Sequence, residues 1–410
     1  MTISNNPIKV LRIYGSEDLS AIMRELKVDP YGIRIMLPKG IHYIIRINSL
    51  PGVAANILKQ ELLSIGGECA LPKKALTARD KKTDCLLIAN LAQYNCLIEK
   101  LKKQPFSLKK LSEDISRVLA DHSRKKYSLK LGKYRIDTGK ITRIMGIVNA
   151  TPDSFSGDGL YRNPILRWES QRLDYLLEYA MKQIRDGADI LDIGGESSRP
   201  QAKPVSLKEE LSRTIPLIKL LTKRIKAPIS IDTYKPEVAH AALDNGAVLV
   251  NDITGLRDPK MARVIARYNA SCVIMHMKGT PRTMQKSPAY RSLIDEIMGF
   301  LNHSIEQAEQ AGVTPDKIII DPGIGFGKTT EHNLEILKRL SEFKSLGKPI
   351  LIGTSRKAFI GKTLGLPVEK RITGTVASCV LAAANGADIV RVHDIKETAQ
   401  ALKLTQAILN

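Results

Sequence analysis

The sequence predicts an α/β fold, a (β/α)8 TIM barrel preceded by a small α+β domain. From about residue 140 onward, a short β-branched apolar run, a polar loop and an amphipathic helical stretch follow one another repeatedly. The apolar runs span residues 141–148, 188–193, 228–231, 247–250, 271–275, 317–320, 349–352 and 387–392. Eight such runs match a closed barrel better than an open doubly wound sheet, which more often has five or six strands.

Almost every run ends in a polar residue or has one close after it. These polar residues are Asn149, Asp192, Asp232, Asn251, His276, Asp321, Ser355, Arg391 and His393. Continuous apolar runs are typical of strands buried on both faces, and the helices between them require parallel connections. Because all strands of a parallel barrel open at one face, we expect these polar side chains to converge on a single site.

The residues before the barrel predict a separate α+β domain. Residues 41–47 and 83–88 have strand patterns. Helices are predicted from Pro51 to Ser64, where Gly66 and Gly67 follow, and over residues 91–103 and 108–119. The charged run at 122–140 is typical of a linker. The predicted domains are therefore 1–121, a linker at 122–140, and 141–410.

Positive charge is concentrated in the amino-terminal third of the chain. Residues 1–140 hold 26 Lys and Arg against 13 Asp and Glu, so +13 of the net charge of +21 lies there. Such an excess attracts nucleic acid, but this part has no recognisable nucleic-acid motif and few interleaved aromatic residues. We therefore expect a solvated or barrel-packing surface and no nucleic-acid partner.

The sequence contains no signal for a membrane or an export route. No run approaches the roughly 20 apolar residues that a membrane helix requires, and the first residues lack the pattern of a signal peptide. The five cysteines form no CxxC pair and no cluster with zinc spacing. We expect a cytoplasmic protein without membrane association and without a disulfide framework.

Two polar loops follow the first two predicted strands. The loop at 145–159 carries Asn149 as a candidate metal or phosphate ligand, although Pro152 and Asp153 also suit an ordinary turn. The loop at 189–200 has a Gly-Gly pair that permits close backbone approach, and Arg199 can meet an anion. The second pattern also occurs in plain loops.

Several strand ends offer groups suited to a flat heterocycle. Asp232 and Asn251 can pair with adjacent N–H groups, and Asp321 can accept two parallel N–H bonds from an amidine-like edge. Met275 gives an apolar edge, although methionine in such a position is more often core filler. Asp252 is at least equally well explained as a cap of the following helix.

Two further pairs suggest an anion site. Ser355 and Lys357 lie where a helix is predicted to begin, and the free N–H groups of a helix start favour a carboxylate or phosphate. Arg391 and His393 are two apart on a strand, so they face the same side and could anchor an anion. The alternative is structural pairing with a nearby carboxylate, Asp394 or Glu397.

Eight strings taken together carry a resemblance to a known family. In order along about residues 141–400 they are NATPDSFSGDG, DIGGESSRP, SIDT, NDITG, MHMKGTP, DPGIGFGK, GTSRK and RVHD. This ordered set resembles the signature of the dihydropteroate synthase family. The first, second, sixth and seventh strings are together very specific.

The resemblance implies a transferase of folate biosynthesis. It implies condensation of 6-hydroxymethyl-7,8-dihydropterin pyrophosphate with p-aminobenzoate, giving 7,8-dihydropteroate and pyrophosphate. It also implies Mg²⁺ as cofactor and a target of sulfonamides, and we expect a homodimer. The amino-terminal part is similar to an extension found on some bacterial members, and that similarity implies no function.

Residue roles follow from the same resemblance. The pterin would be held by Asp232, Asn251, Asp321 and Lys357, with Met275 and Phe326 lining its ring. The p-aminobenzoate site would be shaped by Phe155, Ser198, Arg199, Pro200 and Ser355. Asn149 would contact Mg²⁺ and pyrophosphate, and Arg391 and His393 would anchor the pyrophosphate. The predicted catalytic residues are therefore Asn149, Lys357, Arg391 and His393.

The chain departs from the family pattern at two places. It has Gly157-Asp158-Gly159 where the family usually has Asp-Gly-Gly, and Ser198 where Thr is usual, so loop closure and sulfonamide affinity are expected to differ. Corrinoid-dependent methyltransferases share a pterin-binding barrel and form the competing hypothesis. The TPDSF loop at 151–155 and the Ser-Arg-Lys element at 355–357 are not expected in them.

Overall fold

The structure, a computed structural model, describes residues 8–77, 82–139, 141–151, 169–197, 199 and 202–409. The chain forms two compact units, one ending at Ala120 and one beginning at Asp121. No helix among the described residues is long and apolar enough to cross a membrane.

The first unit contains a three-stranded antiparallel sheet in the order β1-β3-β2. Its strands are β1 (His42–Pro51), β2 (Glu68–Ala70) and β3 (Lys82–Asn90). Its helices are α1 (Ser16–Glu25), α2 (Pro30–Gly40), α3 (Gly52–Leu63), α4 (Leu91–Leu101) and α5 (Leu108–Ser123), with a 3-10 turn at Lys73–Thr77. The two predicted strands and the three predicted helices are confirmed, whereas α1, α2 and β2 are additions.

Local sequence signals explain how these elements begin and which face they bury. Asn90 and Gln93 form a reciprocal capping box at the start of α4. Strand β3 alternates exposed and buried residues, which directs Cys85, Leu87 and Ala89 to the core. The hydroxyl of Tyr94, on α4, donates to the Leu87 carbonyl at 3.1 Å. One face of the sheet is thereby packed against helices.

The second unit is the barrel. Its strands are β6 (Arg143–Asn149), β7 (Ile190–Gly194), β8 (Ile229–Asp232), β9 (Leu249–Asp252), β10 (Ser271–Met275), β11 (Ile318–Asp321), β12 (Leu351–Ile352) and β13 (Ile389–Val392). Its helices are α6 (Glu169–Asp186), α7 (Leu207–Arg224), α8 (Pro236–Asp244), α9 (Pro259–Arg267), α10 (Leu293–Gln310), α11 (Thr330–Lys338), α12 (Ala358–Leu364), α13 (Ile372–Ala384) and α14 (Ile395–Leu409), with 3-10 turns at Pro315–Lys317, Leu340–Leu346 and Val368–Lys370.

The eight strands form a closed parallel sheet. Neighbouring strands follow the order β11-β10-β9-β8-β7-β6-β13-β12, and a parallel bridge between Ile320 and Ile350 joins β11 to the segment before β12. All eight predicted apolar runs lie on these strands. The predicted (β/α)8 fold is confirmed, and all strand ends open on the same face.

The stretch expected to be a linker contains a β-hairpin. Residues Ser128–Leu131 (β4) and Tyr134–Asp137 (β5) pair antiparallel. Leu129, Leu131 and Ile136 are buried in one cluster with residues near the amino ends of the barrel strands, among them Met145, Ile190, Leu249 and Ile389. The prediction of a linker is corrected here, because Leu129, Leu131 and Ile136 alternate with polar residues along the two strands and pack into the barrel.

Backbone contacts fix the hairpin in this position. Its turn residue Gly132 has a φ of 58°, and a Cβ placed there would lie 2.6 Å from a methyl group of Val248. Ser271, the first residue of β10, donates through its hydroxyl to the Lys130 carbonyl at 3.0 Å. The hairpin therefore closes the amino end of the barrel, opposite the strand ends that carry the polar residues.

We predict that Leu131→Ala destabilises the protein by about 2–5 kcal/mol, because it removes a buried side chain and leaves a cavity. Urea unfolding measures the change in the free energy of unfolding. Leu334→Ala is the matched control, since Leu334 on α11 is 43% exposed, and its effect should stay within about 0.5 kcal/mol. Equal losses for the two variants would contradict a structural role for the hairpin.

Candidate active site

The polar residues at the strand ends converge on one cavity of about 1200 Å³. Its lining includes eleven of the residues predicted for the site: Asn149, Arg199, Asp232, Asn251, Met275, Asp321, Phe326, Ser355, Lys357, Arg391 and His393. The other three, Phe155, Ser198 and Pro200, lie outside the described residues. The geometry thus brings together every predicted site residue that the structure describes.

Arg391 forms the charged centre of the cavity. Its Nε donates to Asp192 Oδ2 and its Nη2 to Asp232 Oδ2, both at 2.6 Å. Asn251 Nδ2 donates to the same Asp192 oxygen at 2.9 Å. Asp192 is completely buried, so its charge requires these partners. One arginine therefore joins β13 to β7 and β8 across the mouth of the barrel.

Burial changes the acidity of Asp232. Removal from water raises its pKa to about 7, and the neighbouring Arg391 opposes that rise. The carboxylates of Asp192 and Glu210 raise the pKa further. Arg391 is therefore the main group that favours the ionised form of Asp232.

Asp321 occupies a different environment in the same cavity. Its Oδ1 accepts a hydrogen bond from the Gly323 backbone N–H at 2.7 Å, and burial raises its pKa to about 6. Lys357 lowers that pKa, and its Nζ lies 4.2 Å from the centre of the Phe326 ring. Burial, followed by the repulsion of Arg391, lowers the pKa of Lys357 to about 8.

Apolar side chains form one wall beside these charges. Met275 and Phe326 belong to a buried cluster with Ile253, Met277 and Met284. Met275 and Phe326 also line the cavity, so they are more than core filler. A flat ring can pack against this wall while its polar edge faces Asp321 and Asn251.

The structural pairing with Asp394 or Glu397 that was considered for Arg391 is not what the structure shows at the end of β13. Asp394 accepts two hydrogen bonds from Arg356, from Nε at 3.1 Å and from Nη2 at 2.6 Å. Arg391 binds Asp192 and Asp232 instead of Asp394. His393 Nδ1 lies 3.0 Å from Ser355 Oγ, which also accepts the backbone N–H of His393. Ser355 and His393 are therefore positioned by each other.

Asp252 has a structural role in the loop that follows its strand. Its carboxylate accepts the backbone N–H and the hydroxyl of Thr254, at 2.8 and 2.7 Å, and the N–H of Leu256 at 3.0 Å. These bonds organise the loop after β9. The following helix, α9, is instead capped by Asp258, whose side chain accepts the Lys260 N–H, so the expected helix cap at Asp252 is corrected to a role within the loop.

Two residues at the site were given no specific role by the sequence. Asp192 was expected there only as one of the polar strand ends, because the sequence cannot show that Arg391, 199 positions away, lies beside it. Lys328 lines the cavity and is 2% exposed. Its position two residues after Phe326 was the available signal.

Oxygen ligands for a cation are few in this cavity. Among the described residues no group of three or more His, Cys, Asp or Glu side chains could hold a metal ion. A Cβ placed on Gly194 would lie 3.5 Å from Asn149 Oδ1 and 3.7 Å from Asp232 Oδ2, so these two oxygens border the same glycine. This donor set fits Mg²⁺, which takes one or two protein oxygens and completes its shell with phosphate and water.

The chain matches known proteins over the barrel and, in one case, over nearly its whole length. The family model described as pterin binding enzyme matches residues 145–393. A dihydropteroate synthase from Synechocystis sp. is 47% identical over 282 residues, which are 68% of this chain and 94% of that protein. A probable bifunctional folylpolyglutamate synthase/dihydropteroate synthase from Halobacterium salinarum is 37% identical over 392 residues, which are 95% of this chain and 46% of that protein.

Solved structures of dihydropteroate synthases also match this chain over about two thirds of its length. A dihydropteroate synthase from Clostridium difficile, solved in the presence of pteroic acid, is 47% identical with a TM-score of 0.61, covering 67% of this chain and 98% of its own. The enzyme from Xanthomonas albilineans, solved with 4-aminobenzoic acid, is 39% identical with a TM-score of 0.63, covering 69% and 98%. The enzyme from Yersinia pestis, in complex with a sulfonamide drug, is 40% identical with a TM-score of 0.64, covering 69% and 99%.

We predict that Arg391→Met destabilises the protein by about 3–5 kcal/mol at neutral pH, because it leaves buried carboxylates without a counter-charge. The loss should be larger at pH 8 than at pH 5. Without the arginine the pKa of Asp232 rises still further above its unfolded value, so folding takes up a proton, and this becomes costlier as pH rises.

Arg339→Met is the control for this experiment. Arg339 also binds two carboxylates, Glu335 and Glu342, but the three side chains are 37–44% exposed, so the loss should be below about 1 kcal/mol. Chemical denaturation of both variants at pH 5 and pH 8 measures the difference. A pH-independent loss for Arg391→Met would contradict the assignment.

Proposed function

The chain belongs to the pterin-binding enzymes, the family that contains the dihydropteroate synthases, and from this membership and the cavity geometry we propose that it condenses 6-hydroxymethyl-7,8-dihydropterin pyrophosphate with p-aminobenzoate. The products are 7,8-dihydropteroate and pyrophosphate. The observation that carries the proposal is the convergence of Asp232, Asn251, Asp321 and Lys357 on one cavity beside an apolar wall. Such a cavity suits a flat ring with an N–H-rich edge.

Asp321 is the proposed partner of the pterin edge. One of its oxygens is held by Gly323, which fixes the plane of the carboxylate, and an ionised carboxylate can accept two parallel N–H bonds. Met275 and Phe326 would contact the ring face, and Asn251 and Asp232 would pair with its remaining polar atoms. Lys357, above Phe326, would donate to a ring acceptor.

The second substrate enters the other part of the cavity. Ser355 and Arg199 line it, and p-aminobenzoate carries a carboxylate that a hydroxyl, a cation and free backbone N–H groups can bind. The related enzyme of Xanthomonas albilineans was solved with this compound. We propose that Phe155, Ser198 and Pro200 complete this site.

The reaction forms a C–N bond and breaks a C–O bond. The amine of p-aminobenzoate attacks the methylene carbon, pyrophosphate leaves with the C–O electron pair, and the amine loses a proton. Arg391 and His393 would bind the leaving anion, and an arginine stabilises negative charge most strongly in a site with little water. An aromatic amine is nucleophilic when neutral, so a strong general base is not needed.

Mg²⁺ is part of this proposal. Asn149, with its amide oxygen beside Gly194, would hold the ion, and Mg²⁺ bound to phosphate oxygens supplies charge stabilisation for the leaving group. The experiment for the function measures pyrophosphate release by the purified full-length chain with both substrates, with and without EDTA. Release that requires p-aminobenzoate supports the proposal, and a sulfonamide should inhibit it. Absence of release would overturn it, and methyl transfer would favour the corrinoid-dependent class.

We further propose a homodimer located in the cytoplasm. The neighbouring outer helices α13 and α14 expose Leu381, Leu404 and Ile408, which are 48%, 65% and 73% accessible. Exposed apolar patches of this kind are typical of protein interfaces. Sedimentation of the chain and of Leu404→Glu with Ile408→Glu should give a dimer for the former and a monomer for the latter. A monomeric parent chain would refute the proposal.

We predict that Asp321→Asn weakens binding of the pterin pyrophosphate by about 2–4 kcal/mol. The amide presents a donor where the ring edge also presents a donor, so one group is left unpaired. Calorimetric titration measures the affinity. Asp316→Asn, at the opposite end of the barrel on the turn before β11, is the control and should bind normally. Normal affinity of Asp321→Asn would remove this residue from the site.

A further inference from the structure

Lys328 is a buried cation at the edge of the cavity with no role in the reaction described above. It is 2% exposed. Its Nζ lies 2.9 Å from His276 Nδ1, 3.1 Å from the Phe326 carbonyl and 3.5 Å from the His276 carbonyl. These three acceptors match the three N–H groups of an ammonium group, although the last is long.

The partners of Lys328 are themselves uncharged. Burial lowers the pKa of His276 to about 2, so the imidazole is neutral and its Nδ1 accepts the hydrogen bond from the lysine. Two backbone carbonyls complete the set. A buried ammonium without a bonded counter-charge is costly, so its charge calls for a compensating group nearby.

The hydrogen bonds join the two segments that carry the apolar wall. His276 follows Met275 at the end of β10, and Phe326 lies in the turn after β11. The same turn is held at other points: Gln285 Nε2 donates to the Gly325 carbonyl and the Tyr290 hydroxyl to the Gly327 carbonyl, both at 2.8 Å. Since the neutral side chains of Gln285 and Tyr290 already bind this turn, holding the turn in place does not by itself account for the buried charge of Lys328.

Asp321 lies beside this group: it lines the same cavity as Lys328, and its backbone carbonyl accepts the N–H of His276 at 2.9 Å. It attracts Lys328 and favours its protonated form, whereas burial lowers the pKa of Lys328 to about 7 and Lys357 lowers it further. In return, the groups that favour the ionised form of Asp321 are the Gly323 N–H, Lys357, Lys328 and Arg391. Lys328 differs from Lys357 because its N–H groups are occupied by protein acceptors.

We propose that Lys328 is a positioning residue of the pterin site, whose buried ammonium keeps Asp321 ionised for the ring edge while tying the Phe326 turn to His276. Because its Nζ is bonded to protein acceptors, this proposal gives it no contact with the substrate. This inference rests on the proposed function, in which Asp321 binds the pterin. Lys357 then remains available for the substrates, because the charge of Asp321 does not depend on Lys357 alone.

The test is Lys328→Met in the full-length protein, titrated calorimetrically with the pterin pyrophosphate from pH 5.5 to 8.5. Loss of the ammonium raises the pKa of Asp321, so more of it is protonated at low pH, and a protonated carboxyl cannot accept both N–H bonds. We expect affinity about tenfold below that of the parent chain at pH 6 and within about threefold at pH 8.5. Comparison at each pH cancels the titration of the ligand.

Two further variants separate the effect of the Lys328 charge from the effect of its hydrogen bonds. Lys328→Gln keeps a hydrogen-bond donor but removes the charge, so it should show the same weakening at low pH, and it replaces Lys328→Met if that variant does not fold. Lys338→Met removes an exposed lysine and should leave the profile unchanged. An equal loss of affinity at every pH would reduce Lys328 to a structural role, and normal affinity would overturn the proposal. Failure of the parent chain to bind the pterin would instead reject the proposed function.

Discussion

The bridge from Arg391 to Asp192 and Asp232 is the interaction on which the mouth of the barrel depends. Its three residues come from strands β13, β7 and β8, and β6 lies between the first two. Asp192 has no access to water, so its charge is tolerable only while the arginine and Asn251 bind it. A barrel mouth that collects polar side chains for chemistry must neutralise them internally, and this arginine does so for two carboxylates.

The same burial gives the cavity its electrostatic character. Removal from water raises the pKa of Asp232 to about 7 and lowers the pKa of Lys357 to about 8, so both groups titrate near neutrality. Charges in such a medium interact strongly with one another and with a charged ligand. At the other end of the barrel, Leu129 and Leu131 of the hairpin fill the interior with apolar side chains. Stability is concentrated at one end and chemistry at the other.

Most of the barrel could be predicted from the sequence, because the patterns that mark its strands are local. Continuous apolar runs mark strands covered on both faces, and the polar residues after them mark the mouth. The hairpin was not predicted, because its exposed positions are charged and residues 122–140 therefore have the composition of a linker. Helix α2 contains Pro38 and two glycines, although Asp29 before Pro30 was a usable start signal. The partners of Arg391 could not be predicted, since that pairing exists only after the strands close.

The two carboxylates in the cavity illustrate what only the three-dimensional arrangement decides. By sequence, Asp232 and Asp321 are equivalent, each ending a strand. In the structure, one carboxylate oxygen of Asp232 accepts a hydrogen bond from Arg391. Asp321 accepts a hydrogen bond from a backbone N–H, and the nearby Lys357 and Lys328 favour its ionised form. Asp232 is therefore committed in part to internal neutralisation, and Asp321 retains more of its acceptor capacity for a ligand. Under the proposed function, recognition of an N–H-rich ring edge would therefore fall mainly to Asp321, whose carboxylate is oriented by the turn after β11.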